Sequence, residues 1–209
     1  MIGILPIGKG KSLAFILPAC LRGVFTTIIL VLLITLQQDL IRKYQNLGIP
    51  YSVWEEDKEE PDRYRSSLIF ISAESISGNL FLSFIGQLHA QNQLDRIVID
   101  ESHLVLTESD YRPSLVALRA LRQFETQFIL LSATLPPSLI PELERIFCLK
   151  GPLVVRKETT RQNLRLAVTT FPFQEYESQI KKFQDSESKG LQVKERVICY
   201  TQTRADAES

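Results

Sequence analysis

Asp100, Glu101, Ser102 and His103 follow directly on the apolar run Ile97-Val98-Ile99. Two adjacent carboxylates behind a buried-type strand are destabilising unless something cationic engages them. The chemistry that uses such a pair is nucleotide hydrolysis. Asp100 would hold Mg²⁺ through its oxygens, and Glu101 would orient or deprotonate the attacking water. The same four residues also suit a solvated turn at a strand end, so other segments must decide.

Leu5-Pro6-Ile7-Gly8-Lys9-Gly10-Lys11-Ser12 is the first of these. Ile2 to Leu5 read as a short strand and Leu13 to Leu17 as the start of a helix. Strand, Gly-containing turn, Lys-Ser and helix together describe a phosphate-binding loop. Gly8, Lys9, Gly10, Lys11 and Ser12 would cradle phosphate with backbone N–H groups and the helix N-terminus. Lys11 would reach the β- and γ-phosphates, and the Ser12 hydroxyl would join Asp100 on Mg²⁺. The usual pattern has Gly five residues before Gly10, where this chain has Leu5.

Ser132-Ala133-Thr134 is the second, between the apolar run Phe128–Leu131 and Leu135-Pro136-Pro137. A hydroxyl-bearing tripeptide is ordinarily a turn or a cap. Its weight comes from order: phosphate loop, Asp-Glu-x-His, Ser-Ala-Thr, each just after a buried-type strand.

The elements that must position these residues alternate. Apolar runs at Ile2–Leu5, Val24–Leu33, Leu68–Ile71, Ile97–Ile99 and Phe128–Leu131 are separated by helix-like segments. Those segments are Leu13–Leu21, Leu36–Leu47, Phe81–Gln91, Ser114–Gln123 and Leu139–Phe147. This pattern predicts an α/β fold, a parallel sheet covered by helices on both faces. Ligands of such sheets bind beyond the carboxyl ends of the strands, where each segment above lies. After a composition shift near Gly151-Pro152, Leu164–Thr170 (strand), Glu175–Asp185 (helix) and Val197–Tyr200 (strand) predict the incomplete start of a second domain. The boundary is placed at 156/157.

Within 209 residues, 44% are hydrophobic and 23% charged, as in soluble globular chains. The net charge of zero gives no global basic field for nucleic acid. Cys20, Cys148 and Cys199 are too scattered for a zinc site or a disulfide framework and read as small buried residues. Val24–Leu36 is too short to span a bilayer, and the N-terminus lacks a signal-peptide layout. Nuclear or cytoplasmic residence is the expectation. The mixed-charge stretch Glu55–Arg65 reads as a solvated loop, and His89 is assigned no role.

With these motifs in place, the chain resembles the superfamily 2 helicases, and among them the RecQ-type DNA helicases, over nearly its whole length. Leu5 to Ser12 is similar to motif I, Val31 to Leu40 to motif Ia, and Ile71 to Glu74 to motif Ib. Asp100 to His103 resembles motif II and Ser132 to Thr134 motif III. Tyr111-Arg112-Pro113, Arg161-Gln162-Asn163-Leu164 and Val197–Tyr200 with Thr203–Glu208 look like the RecQ segments that follow. The resemblance implies a RecA-like P-loop NTPase domain over 1–156 and part of a second RecA-like domain over 157–209. It implies an ATP-dependent 3′–5′ DNA helicase acting in recombination and repair, using ATP and Mg²⁺ on single-stranded or partly duplex DNA. His103, Ser132 and Thr134 would couple nucleotide state to DNA, or His103 would simply cap its strand. Thr35, Gln38, Ser72 and Arg112 would meet a single strand in a groove across the domain.

Ile7 and Lys9 stand where the family shows Thr and Gly, and a side chain at Lys9 is expected to strain the loop or crowd the nucleotide. Leu32 and Ala73 replace prolines, and Thr107-Glu108-Ser109 replace a Trp-Gly. The family also has an adenine-reading segment before motif I and arginine-finger motifs after motif IV. Without the fingers, worth about three to five decades in related enzymes, nucleotide binding is expected to outlast hydrolysis. The alternative to a motor is therefore a non-catalytic nucleotide- or nucleic-acid-binding remnant. A different P-loop enzyme is disfavoured by Ser132-Ala133-Thr134 and Tyr111-Arg112-Pro113.

Overall fold

Runs of β-branched and apolar residues with no polar alternation suit strands buried on both faces. In the computed structural model they form the centre of a parallel sheet. The structure describes residues 1–21, 25–55, 66–107, 118–159, 178–179 and 181–182, excepting the side chains of Ile34 and Thr35. By contact the chain divides into two compact units, Met1–Thr160 and Arg161–Ser209. The fold below is that of the first.

In chain order the elements are β1 (Ile2–Ile4), α1 (Leu13–Cys20), β2 (Thr26–Val31), α2 (Ile34–Asn46), β3 (Ser52–Val53) and β4 (Leu68–Ser72). There follow α3 (Asn79–Ala90), β5 (Leu94–Asp100), α4 (Leu104–Thr107), β6 (Gln127–Ser132), α5 (Ile140–Ile146) and β7 (Val154–Arg156). Single 3₁₀ turns occupy Ser75–Ser77, Leu121–Gln123 and Pro137–Leu139. Among the described residues the sheet has seven strands in the order β3-β4-β2-β5-β6-β1-β7, with every pairing parallel.

Alternate residues feed two cores. On one face Ile28, Leu30, Ile97, Ile99 and Leu130 pack under Phe81, Phe84, Ile85 and Leu88 of α3 and under Leu143 and Ile146 of α5. On the other, Ile29, Val31, Val98, Ile129 and Leu131 pack under Phe15, Ile16 and Ala19 of α1 and Tyr44 of α2. The i, i+3, i+4, i+7 spacing on α3 is what gives that helix one apolar stripe. Helices on both faces are thus borne out. The helix α2 stops where Gly48 takes a φ of 65°, a left-handed exit that favours glycine.

The register matters most for function. Val31 pairs with both Ser72 and Asp100, and Ile4 pairs with Ser132. The carboxyl ends of the motif-bearing strands therefore finish level. Gly3 lies in this central region, and a Cβ there would come 2.8 Å from Leu131 Cδ2, a fully buried side chain. Gly3→Ala is expected to lower stability by about 1–3 kcal/mol, read as a drop in thermal unfolding temperature. An unchanged transition would show that Leu131 can move aside.

Several expectations are corrected. The edge strands β3 and β7 are additions, because a run of two or three residues has no pattern of its own. The strand β7 is held by backbone bonds, Ile2 N–H to Leu153 O (2.8 Å) and Lys157 N–H to Ile4 O (2.9 Å). Cys20 and Cys148 are exposed rather than buried. Cys20 closes α1 on its outer side, and Cys148 sits in the left-handed turn after α5, with a φ of 48°. Residues 114–117, Leu164–Thr170, Val197–Tyr200 and most of Glu175–Asp185 lie outside the described residues; Ser178, Gln179, Lys181 and Lys182 are helical. Among the described residues no helix is long and apolar enough to cross a membrane.

Candidate active site

The phosphate-type loop leaves β1 through Leu5, whose N–H donates to Ser132 O at 3.0 Å. Lys9 N–H donates to Pro6 O at 3.2 Å, closing a four-residue turn. Its third residue, Gly8, has a φ of 78°, which a type II turn requires. Gly10 is the second left-handed position, at 80°, and a Cβ there would come 3.1 Å from Leu13 Cδ1. Lys9 is not left-handed, so the strain expected from its side chain is absent. The glycines fall on the two positions that need them. Ile7 and Lys9 are exposed. Ser12 is the N-cap of α1, yet its side chain makes no capping bond.

At the end of β5 the chain turns sharply. Glu101 has a φ of 48°, an uncommon conformation for a residue with a β-carbon. Such backbone persists when its surroundings hold it, and often marks a functional site. Ser102 supplies the hold: its N–H (2.9 Å) and its hydroxyl (3.1 Å) both donate to Leu131 O. Glu101 N–H donates to Asp100 Oδ1 at 3.0 Å.

The turn aims Glu101 at the phosphate loop. Lys11 Nζ and Glu101 Oε1 form an ion pair at 2.5 Å, with side chains 12% and 22% exposed. Glu101 Oε2 lies 3.4 Å from His103 Nδ1, and that nitrogen shares a hydrogen bond with Ser132 Oγ at 3.0 Å. Ser132 Oγ also accepts the Thr134 N–H at 3.2 Å. Five residues from three separate segments thus form one polar chain. Asp100 stands beside it with its carboxyl pushed above the usual range, chiefly by burial. The Lys11 cation opposes that shift and the Glu101 carboxylate adds to it.

A cavity of about 230 Å³ opens on this cluster, lined by Asp100 and Glu101 and by Leu36, Asp39, Leu40 and Lys43 of α2. Asp39, with Gln38 in the segment that resembles motif Ia, was given no role by sequence, and Lys43 was not singled out. The spacing of Leu36, Leu40 and Lys43 on one helix face is the signal that could have found them. Of the predicted nucleic-acid residues, Gln38 is exposed on α2, and Ser72 ends β4 with its hydroxyl paired to Ser75 Oγ at 3.1 Å. Thr35 lies in the first turn of α2. Arg112, with Tyr111 and Pro113, lies outside the described residues.

The donor set fits one small hard cation. No group of three or more His, Cys, Asp or Glu side chains converges among the described residues. A hydroxyl free of its capping bond and one partly buried carboxylate remain, Ser12 and Asp100. Mg²⁺ is commonly held by one or two carboxylates together with substrate phosphates and waters.

Residues 1–142 match the DEAD/DEAH box helicase family. The chain is 29% identical over 177 residues to the ATP-dependent helicase SGS1 of Saccharomyces cerevisiae, covering 77% of this chain and 12% of that protein. It is 28% identical over 181 residues to the RecQ-like DNA helicase BLM of Xenopus laevis, covering 79% and 13%. The resemblance to RecQ-type helicases is borne out, while the chain spans only about an eighth of these two relatives. Its fold is similar to that of the DUF1998 helicase MrfA solved bound to DNA, with a TM-score of 0.58 and 18% identity over 76% of this chain and 25% of that one.

Proposed function

From the premise that the chain belongs to the DEAD/DEAH box helicase family, we propose that it is the nucleotide-binding part of an ATP-dependent 3′–5′ DNA helicase of RecQ type. The observation that carries this reading is the polar chain Lys11–Glu101–His103–Ser132–Thr134. It links the phosphate loop, the hydrolytic carboxylate and the third motif in one continuous polar path. An arbitrary solvated turn at Asp100-Glu101 has no reason to be wired in this way.

Lys11 exchanges Glu101 for the β- and γ-phosphates of ATP, which are the stronger anion. Glu101, released, faces the cavity and orients or deprotonates the attacking water. Ser12 and Asp100 would hold Mg²⁺, which when bound would neutralise phosphate charge. His103 senses the new position of Glu101 and passes it to Ser132 and Thr134. The main-chain N–H groups around Gly8 and Gly10 contribute further positive potential.

Single-stranded or partly duplex DNA is the proposed partner, crossing the level strand ends near Thr35, Gln38 and Ser72, with Arg112 proposed from its motif as a further contact. The names of the relatives and the DNA-bound fold neighbour support that choice. A RecA-like domain over 1–156 and the beginning of a second over 157–209 are proposed with it, supported by the division of contacts after Thr160. Nuclear or cytoplasmic residence and a role in recombination and repair accompany the reading.

The test is ATP turnover with and without single-stranded DNA, followed by strand displacement on duplexes tailed at the 3′ or 5′ end. Stimulated turnover and unwinding from the 3′ tail are expected. Binding of MgATP without turnover would leave the non-catalytic remnant standing, and absence of MgATP binding would remove both. Ser132→Ala should keep nucleotide affinity within about twofold and lower stability by about 1 kcal/mol. It should also abolish most of the DNA stimulation. Retained stimulation would take Ser132 and His103 out of the coupling path.

A further inference from the structure

Tyr44 is a chemical anomaly within its own core. Its side chain is fully buried, yet its hydroxyl has no hydrogen-bond partner. The ring itself is well placed, 5.2 Å from the Phe70 ring and in one apolar cluster with Phe15, Val31 and Leu68. A phenylalanine would satisfy those contacts equally, without an unpaired polar atom in the interior.

The hydroxyl instead sits beside the Ser12 side chain and in the field of Asp100. Helical side chains lean toward the helix N-terminus, so Tyr44 reaches over the turn of Leu40, which lines the cavity with Asp100 and Glu101. A buried phenol with no partner and an N-cap serine with no capping bond thus belong to two helices, α2 and α1, that pack in one core through Tyr44, Phe15 and Ile16. A hydroxyl that gives one lone pair to a cation keeps a second lone pair for a donor.

We propose that Tyr44 is a positioning residue for the cation site. With the cation bound, its O–H would donate to Ser12 Oγ and hold that oxygen in the rotamer that would face Mg²⁺ beside Asp100. The inference rests on the assignment of Ser12 and Asp100 to Mg²⁺ made above. It adds a partner from α2 to a site otherwise built from β1, α1 and β5.

The experiment titrates Mg²⁺ into the whole chain saturated with a fluorescent, non-hydrolysable ATP analogue, with thermal unfolding of the nucleotide-free protein alongside. Tyr44→Phe should weaken apparent Mg²⁺ affinity about tenfold, as loss of an outer-shell partner does. The same variant should keep metal-free analogue affinity within about twofold and unfold at a higher temperature, since it removes a buried unpaired hydroxyl. In a Ser12→Ala background Tyr44→Phe should have no further effect on Mg²⁺, because the two act through one oxygen. Unchanged Mg²⁺ affinity in Tyr44→Phe, or an equal loss in the Ser12→Ala background, overturns the role of Tyr44 and leaves the cation site intact. No Mg²⁺-dependent binding by the unaltered chain overturns the site and this inference together.

Discussion

Glu101→Gln is expected to abolish ATP turnover while tightening ATP binding. The two effects have different origins. Turnover is lost because the amide cannot take a proton from water, and a positioned base is worth about 10²–10⁴-fold in rate. Affinity rises because Glu101 competes with phosphate for Lys11, which it holds at 2.5 Å in a partly buried pair. A neutral amide competes poorly, so the ammonium is available before the nucleotide arrives. Release of such a charge-assisted bond should tighten binding about tenfold, or about 1.4 kcal/mol. Equilibrium binding of a fluorescent ATP analogue and steady-state turnover read the two effects separately. Weaker binding in the variant would mean that Glu101 orients Lys11 toward phosphate instead of sequestering it.

Asp100→Asn should have the second-largest effect, and it divides stability from function. Burial raises the Asp100 carboxyl above its ordinary value of 3.8, against the pull of Lys11. The folded protein therefore binds this proton more tightly than the unfolded chain does. The stability it contributes is complete below the ordinary carboxylate value and is lost as pH rises through the raised native value. At pH 7 the ionised group is a net burden on the fold. Asparagine removes the charge and keeps an acceptor for the Glu101 N–H that now donates to Oδ1 at 3.0 Å.

The variant should unfold at a higher temperature than the parent at pH 7, and the gap should narrow as pH falls toward the ordinary carboxylate value. Mg²⁺-dependent nucleotide binding should fall by more than the roughly 10–100-fold typical of an outer-shell loss. In the parent the same binding should weaken as acidification protonates Asp100, over the window between 3.8 and its raised native value. Lys11, Glu101 and His103 also face this carboxyl, so the difference between parent and variant is the quantity to follow. A lower unfolding temperature at pH 7 would contradict this account.

Much of the central sheet was legible in the sequence. Ile28 to Val31, Ile69 to Ile71 and Ile97 to Ile99 are apolar on every position because both sheet faces are covered, and such runs announce themselves. The edge strands Ser52–Val53 and Val154–Arg156 were not legible. Their order comes from the backbone of a neighbour, and their own side chains leave no pattern. The chemical residues Lys11, Ser12, Asp100 and Glu101 were legible by type and order. The conformations that make them a site were less so: Lys9 escapes strain because Gly8 and Gly10 take the left-handed positions, whereas Glu101 occupies one itself.

The sequence alone determined which residues could do chemistry, that each follows a buried strand, and that the strands run parallel. These follow from composition and periodicity over a few neighbouring residues. Only the tertiary structure decided which of them meet. Lys11 and Glu101 are 90 residues apart, and His103 and Ser132 are 29 apart. They touch because parallel pairing sets Ile4 against Ser132 and Val31 against Asp100, bringing the strand ends to one level. That register is fixed by packing two cores at once, a global condition that no local window of sequence contains. The buried hydroxyl of Tyr44 beside Ser12 follows from the same condition, since it depends on how α2 and α1 share one face of the sheet.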